Sequence, residues 1–213
     1  MKTLALIDYG SGNIRSASRA LAQAAKLAEI DLRLQITCDP EIIANSDAIF
    51  LPGVGHFSDC MKELNARDGV VEVLRTKVLQ GDKPFMGICV GMQLLASLGR
   101  EDGQTPGLSF LAGSVDKLCP SDASLAIPHM GWNEIQHINH ALFHDLGQQP
   151  HLYFTHSYAF TPEDKSVIAA TADYGGAFTA AVVKDNIFGT QFHPEKSQTT
   201  GQKLLANFLK WKP

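Results

Sequence analysis

The sequence is short of the features that mark most specialised classes of protein. Its four cysteines, Cys38, Cys60, Cys89 and Cys119, are scattered and never form Cys-x-x-Cys. Neither a zinc site nor a disulfide framework is therefore indicated. Charge is sparse and almost balanced, with 19% charged residues and a formal net charge of −4. That argues against nucleic acid or an anionic membrane as a partner. No apolar run approaches the roughly 20 residues of a membrane span. The opening, Met1-Lys2-Thr3-Leu4-Ala5-Leu6-Ile7-Asp8, is too short an apolar run for a secretory signal. Internal repeats, linkers and low-complexity segments are also missing. What is left is an ordinary globular composition, 45% hydrophobic over 213 residues, predicting a single domain over 1–213 with a substantial core.

The most informative stretch runs from Lys83 to Leu95, KPFMGICVGMQLL. Phe85 to Ile88 reads as a short buried strand, and Met92 onward as the first turns of an apolar helix. Cys89 stands between them in Gly-x-Cys-x-Gly. This is the cysteine form of the nucleophile elbow, a strained turn that lifts one side chain clear of a sheet. A Cβ at Gly87 or Gly91 would crowd the turn. A helix N-terminus favours the thiolate, and the N–H of Val90 is placed to donate to a developing oxyanion. The alternative is a buried structural cysteine between two packing glycines.

Near the other end lies Gly189-Thr190-Gln191-Phe192-His193-Pro194-Glu195-Lys196-Ser197. If Ile187 to Phe192 is a strand, His193 and Glu195 leave it on one side, because strand side chains repeat every two residues. A histidine base oriented by a carboxylate is what a cysteine nucleophile requires. The two motifs in this order make a structural coincidence a poor account of either.

The rest of the chain supplies a frame. Leu4 to Ile7, Leu32 to Thr37 and Ala48 to Leu51 read as strands, the first and third as buried apolar runs of a parallel sheet. Helices are predicted at about 14–28, after the Asp39-Pro40 start, and at 58–65 and 69–79. Gly10-x-Gly12 after the first strand invites a dinucleotide site, but the third glycine of that fingerprint falls at Arg15. Pro52-Gly53-Val54-Gly55 beside a strand end is either a turn or a second source of an oxyanion N–H, from Val54. Beyond Glu101 come short strands at about 111–118, 133–136, 152–158, 167–172, 177–183 and 187–192. A last helix follows at about 198–212, capped by Ser197. The expected fold is α/β: a doubly wound, mostly parallel sheet with flanking helices and a small additional antiparallel sheet, the site lying at the strands' carboxyl ends.

Gly-Ile-Cys-Val-Gly-Met-Gln followed by Gln-Phe-His-Pro-Glu-Lys-Ser resembles the class I (triad) glutamine amidotransferases, which release ammonia from glutamine. The resemblance implies Cys89 as nucleophile, His193 as base then acid, and Glu195 as the orienting carboxylate. It implies an oxyanion loop at Gly53 and Val54 acting with Val90. Contacts to bound glutamine are implied for Gln93, Glu101, His156, Ser157 and Tyr158. Ile7-Asp8-Tyr9-Gly10-Ser11-Gly12-Asn13 and Ile127-Pro128-His129-Met130-Gly131-Trp132-Asn133-Glu134 narrow it. Within the class they resemble the glutaminase subunits of imidazole glycerol phosphate synthases, over essentially the whole chain. That implies a heterodimer with a (β/α)₈-barrel synthase subunit, and partner contacts at Asn13, Met130, Trp132 and Lys196. No cofactor motif is present. His137, His140 and His144 need not converge, so no metal is expected. A working thiol suits a reducing cytoplasm. Two rivals remain: another ammonia acceptor, and an inactive module that only stabilises its partner.

Overall fold

The computed structural model describes residues 1–81 and 83–213. The elements in chain order are β1 (Lys2–Ile7), α1 (Ile14–Leu27), β2 (Leu32–Thr37), α2 (Pro40–Asn45), β3 (Ala48–Gly53), α3 (Phe57–Asn65) and α4 (Val70–Leu74). The chain continues with β4 (Phe85–Cys89), α5 (Val90–Gln93), β5 (Leu98–Gly99), β6 (Thr105–Pro106), β7 (Gly113–Lys117), β8 (His129–Glu134) and β9 (Gln136–His137). It ends with β10 (His151–His156), β11 (Tyr158–Pro162), β12 (Ile168–Asp173), β13 (Ala177–Lys184), β14 (Ile187–Thr190) and α6 (Gln198–Lys210).

The large sheet has the order β2-β1-β3-β4-β14-β13-β12-β9. The first five strands run parallel, and β13, β12 and β9 are antiparallel. β3 and β4 are buried along their whole lengths, which is why their sequences run apolar without alternation. Phe208 of α6 meets Phe50 of β3 edge-on, with ring centroids 6.4 Å apart, and α1 packs against α6. The alanines of α1 (Ala17, Ala20, Ala24, Ala25) form its buried face with Leu21.

Several expectations need correcting. The extra sheet comes as two: β11-β7-β5-β6, whose β5–β7 pair is parallel, and the antiparallel ribbon β10-β8. The helix after Cys89 lasts a single turn, so its dipole is that of one turn. Leu94, Leu95 and Ala96 then bend the chain while fully buried, and burial on all sides gives them the apolar texture of a helix. The helix expected at 69–79 begins at Val70 and loosens into a π turn over Arg75–Leu79. The strand expected at 152–158 breaks at Ser157, and that expected at 187–192 ends at Thr190. Ser197 stands before α6 but makes no side-chain cap. Its hydroxyl instead donates to the His193 carbonyl at 2.6 Å and accepts the Tyr153 N–H at 2.9 Å.

Gly201, in the first turns of α6, lies against the Pro194 carbonyl so closely that a Cβ would collide with backbone. Gly201→Ala should therefore lower unfolding stability by about 1–3 kcal/mol through overpacking. Urea denaturation measures it, and an unchanged midpoint would contradict this packing.

Candidate active site

Register brings the two motifs together. β4 and β14 are adjacent parallel strands, with Thr190 opposite Ile88. Cys89 therefore lies one residue beyond that pair on its strand, and His193 three residues beyond it on the neighbour. Cys89 has φ 54° and ψ −111°, a left-handed conformation that is uncommon for a residue with a Cβ. Its environment holds it there: a Cβ on Gly53 would lie 2.5 Å from the Gly91 N, and one on Gly91 would strike the Leu51 carbonyl. The β3 loop and the elbow therefore touch backbone to backbone, which explains Gly53 as a packing residue.

His193 precedes a 3₁₀ turn over Pro194–Lys196. That turn, rather than strand periodicity, folds Glu195 back so that its Oε1 lies 2.8 Å from His193 Nδ1. Both side chains are buried. Burial alone would lower the imidazole, but the Cys89 sulfur and then the Glu195 carboxylate raise it to about 10. His193 Nε2 has no fully formed hydrogen bond. Cys60 is fully buried and its Sγ donates to the Val54 carbonyl at 3.5 Å; burial pushes its thiol up, the mark of an unreactive cysteine.

A cavity of 440 Å³ opens above Cys89. Cys89, Val90, Gln93, Glu101, His156, Ser157, Tyr158, His193, Val54, Asn13 and Lys196 line it, with Gly55, Pro128 and Thr155. Gln93 donates from Nε2 to the Tyr158 carbonyl and to Gln191 Oε1, both at 3.0 Å. Glu101 accepts the Phe57 N–H at 2.8 Å at the start of α3 and has His56 Nε2 3.8 Å from its other oxygen. Asn13 also caps α1, accepting the Ser16 N–H at 3.2 Å. Lys196 Nζ lies 5.8 Å from the Tyr153 ring centroid, and Trp132 packs edge-on against the same ring at 6.1 Å. Met130 and Trp132, 62% and 47% exposed, present an apolar face on β8.

The fold puts to use three residues to which sequence reasoning assigns no role in the site, Gln191, Ser197 and His129, and a backbone carbonyl of Thr155, in the segment that the family resemblance sets along the pocket. Thr155 offers its carbonyl to Cys89 Sγ at 4.0 Å, and Gln191 Nε2 lies 3.7 Å from the same sulfur. His129 Nδ1 is 3.0 Å from His156 Nε2, and His156 Nδ1 donates to the Tyr158 carbonyl at 2.9 Å. The only signal these residues carry in the sequence is their place beside the motif residues. A cavity of 530 Å³ elsewhere is lined by His137, His140 and His144. His137 there is held between the Ile138 and Gly147 carbonyls at 2.9 and 2.8 Å. No group of three metal-capable side chains converges among the described residues.

Burial pushes both His129 and His156 down to about 4. An unfolded histidine takes up its proton near pH 6.5. The neutral pair therefore contributes stability fully above pH 6.5, and that contribution is lost as pH falls toward 4. His193, raised to about 10, acts oppositely, contributing below pH 6.5 and losing its share as pH rises through 10. Denaturation midpoints should fall between pH 6.5 and 4, and His129→Phe should flatten that decline. An equally steep decline in the variant would refute the assignment.

Comparison with known proteins agrees with this arrangement. The model of the family Glutamine amidotransferase class-I matches residues 5–211. The Imidazole glycerol phosphate synthase subunit HisH of Caulobacter vibrioides is 54% identical, with all of both chains aligned. The subunit of the same name from Rhodospirillum rubrum is 48% identical over 99% of each. Among solved structures, a glutamine amidotransferase superposes with a TM-score of 0.70 at 20% identity, over 97% of each chain. The glutaminase domain of Trypanosoma brucei CTPS superposes with a TM-score of 0.65 at 15% identity, over 100% of this chain and 97% of that one. At those identities the two structures speak for the fold alone, whereas the family match and the HisH relatives span the elbow, the histidine–carboxylate turn and the sheet that joins them. The chain is a member of the class-I glutamine amidotransferase family.

Proposed function

We propose that this chain hydrolyses the side-chain amide of glutamine and hands the ammonia to a synthase subunit that makes imidazole glycerol phosphate. One observation carries the chemistry: Cys89, on a left-handed elbow, faces the cavity together with a histidine–carboxylate pair that joins it from the neighbouring strand. The Cys89 thiolate, its proton held on His193 Nε2, attacks the carboxamide carbon. The oxyanion is stabilised by the Val90 N–H and by the Val54 N–H of the facing loop; losing one such donor typically costs about 10²–10³ in rate. His193, its charge supported by Glu195, protonates the departing ammonia and leaves a γ-glutamyl thioester. Water activated by the same imidazole then releases glutamate. Gln93 and the 156–158 segment hold the carboxamide end, and Glu101 receives the α-ammonium.

The destination of the ammonia is read from the HisH relatives, aligned end to end, and from the exposed Met130 and Trp132. These two residues share the ribbon that forms the cavity wall, so a partner seated on them lies beside the site. Lys196, at the cavity rim, reaches toward the same face. The proposed partner is a (β/α)₈ barrel in a heterodimer. No helix among the described residues is long and apolar enough to cross a membrane, and the free thiols suit a reducing cytoplasm.

Cys89→Ala should abolish glutamine hydrolysis while leaving the unfolding curve and partner binding in place. Glutamate release persisting in that variant would sink the nucleophile assignment. Trp132→Ala should weaken partner binding by roughly 10- to 100-fold, the loss typical of a buried aromatic anchor. Calorimetric titration reads it, and an unchanged affinity would move the interface elsewhere.

A further inference from the structure

One buried amide outside the triad reaches the sulfur itself. Gln191 is fully buried in the segment after β14, and its backbone N–H is held by the Ala180 carbonyl at 2.8 Å. Its Nε2 donates to Cys89 Sγ at 3.7 Å, within reach for a hydrogen bond to sulfur.

The orientation of that amide follows from its neighbours. The Tyr158 carbonyl is an acceptor only, so the Gln93 NH₂ must face it. The second hydrogen of that NH₂ requires an acceptor, and Gln191 Oε1 meets it at 3.0 Å. Gln191 is thereby left with its own NH₂ against the sulfur. A flipped amide would set two NH₂ groups against each other and an oxygen against the thiol. The Tyr158 carbonyl is fixed in turn by His156 Nδ1 at 2.9 Å, and His156 by His129 at 3.0 Å. A run of neutral hydrogen bonds, through the Tyr158 carbonyl, Gln93 and Gln191, thus ends on the nucleophile.

We propose that Gln191 is a further catalytic residue, whose side-chain N–H stabilises the Cys89 thiolate before it attacks. The proposal rests on Cys89 as nucleophile. The proton leaves sulfur for His193 Nε2, and the sulfur lone pair then forms the bond to the carboxamide carbon. As that bond forms, negative charge passes to the carbonyl oxygen and the Gln191 contact weakens. The residue therefore acts on how much thiolate is present rather than on the oxyanion.

The test is alkylation of the full chain by iodoacetamide across pH, with labelling at Cys89 read by peptide mass spectrometry. Gln191→Met keeps the length and removes the donor. It should slow Cys89 alkylation at pH 7 roughly tenfold, move the profile to higher pH, and lower kcat in proportion with little change in KM. Gln191→Glu keeps an acceptor for Gln93 but puts negative charge beside the sulfur, and should move the profile further. It also serves if the methionine variant fails to fold. A folded variant whose profile matches the native one overturns the proposal and leaves Gln191 only an anchor for Gln93. Failure of native Cys89 to react with a glutamine-analogue electrophile would instead overturn the nucleophile reading beneath it.

Discussion

The site depends on a backbone conformation that a cysteine adopts only under constraint. A left-handed residue with a Cβ lies about 1–3 kcal/mol above the ordinary wells, so Cys89 must be held by its surroundings. The holding is done by backbone: β3 and β14 pair with β4 on either side, and the loop after β3 closes on the turn where Gly53 and Gly91 leave room for no Cβ. Because those strands are parallel, their carboxyl ends lie together. The residues that leave them, Val54, Cys89 and His193, therefore converge without any one segment being long. Catalytic geometry is in this sense a by-product of sheet register.

A second brace joins the histidine to the small ribbon. The His193 N–H donates to the Tyr153 carbonyl at 2.9 Å. Ser197 ties the His193 carbonyl to the Tyr153 N–H. Tyr153 lies opposite Trp132 on β8, and His156 opposite His129. The ribbon that exposes Met130 and Trp132 thus also positions His193, the Thr155 carbonyl beside Cys89, and the Tyr158 carbonyl behind Gln93. In the proposed complex, a partner pressing on β8 would touch the same ribbon that forms one wall of the cavity.

Local patterns made the central fold legible. Strands buried on both faces announce themselves as apolar runs, and Gly-x-Cys-x-Gly or His-Pro-Glu carry their own turn chemistry. What escaped were matters of long-range pairing. The apolar texture from Met92 to Ala96 suited a helix, yet these residues are buried on every side, and burial without periodicity does not distinguish a helix from a folded turn. Ser197 has the composition of a cap, but Tyr153, 44 residues away, claims its hydroxyl. Gln191 stands two residues before His193, but its contacts are with Gln93 and Cys89, about a hundred residues distant. The small β7–β11 and β8–β10 pairings rest on short strands whose alternation is too brief to fix register.

The three buried histidines around the cavity show how neighbours rather than depth set charge. His129, His156 and His193 are all almost inaccessible, so desolvation opposes the imidazolium in each. His193 faces the Cys89 sulfur and the Glu195 carboxylate, which raise it to about 10. His129 and His156 face each other and a carbonyl and are lowered to about 4. Groups pushed apart in this way take different roles at neutral pH. In the proposed reaction the first carries a proton between sulfur, ammonia and water. The other two stay neutral, so that His129 donates to His156 and His156 to the Tyr158 carbonyl, the same acceptor that orients Gln93 and through it Gln191. Had that pair been charged, both rings would only donate and the contact between them would become a repulsion, loosening the segment whose Tyr158 carbonyl orients Gln93.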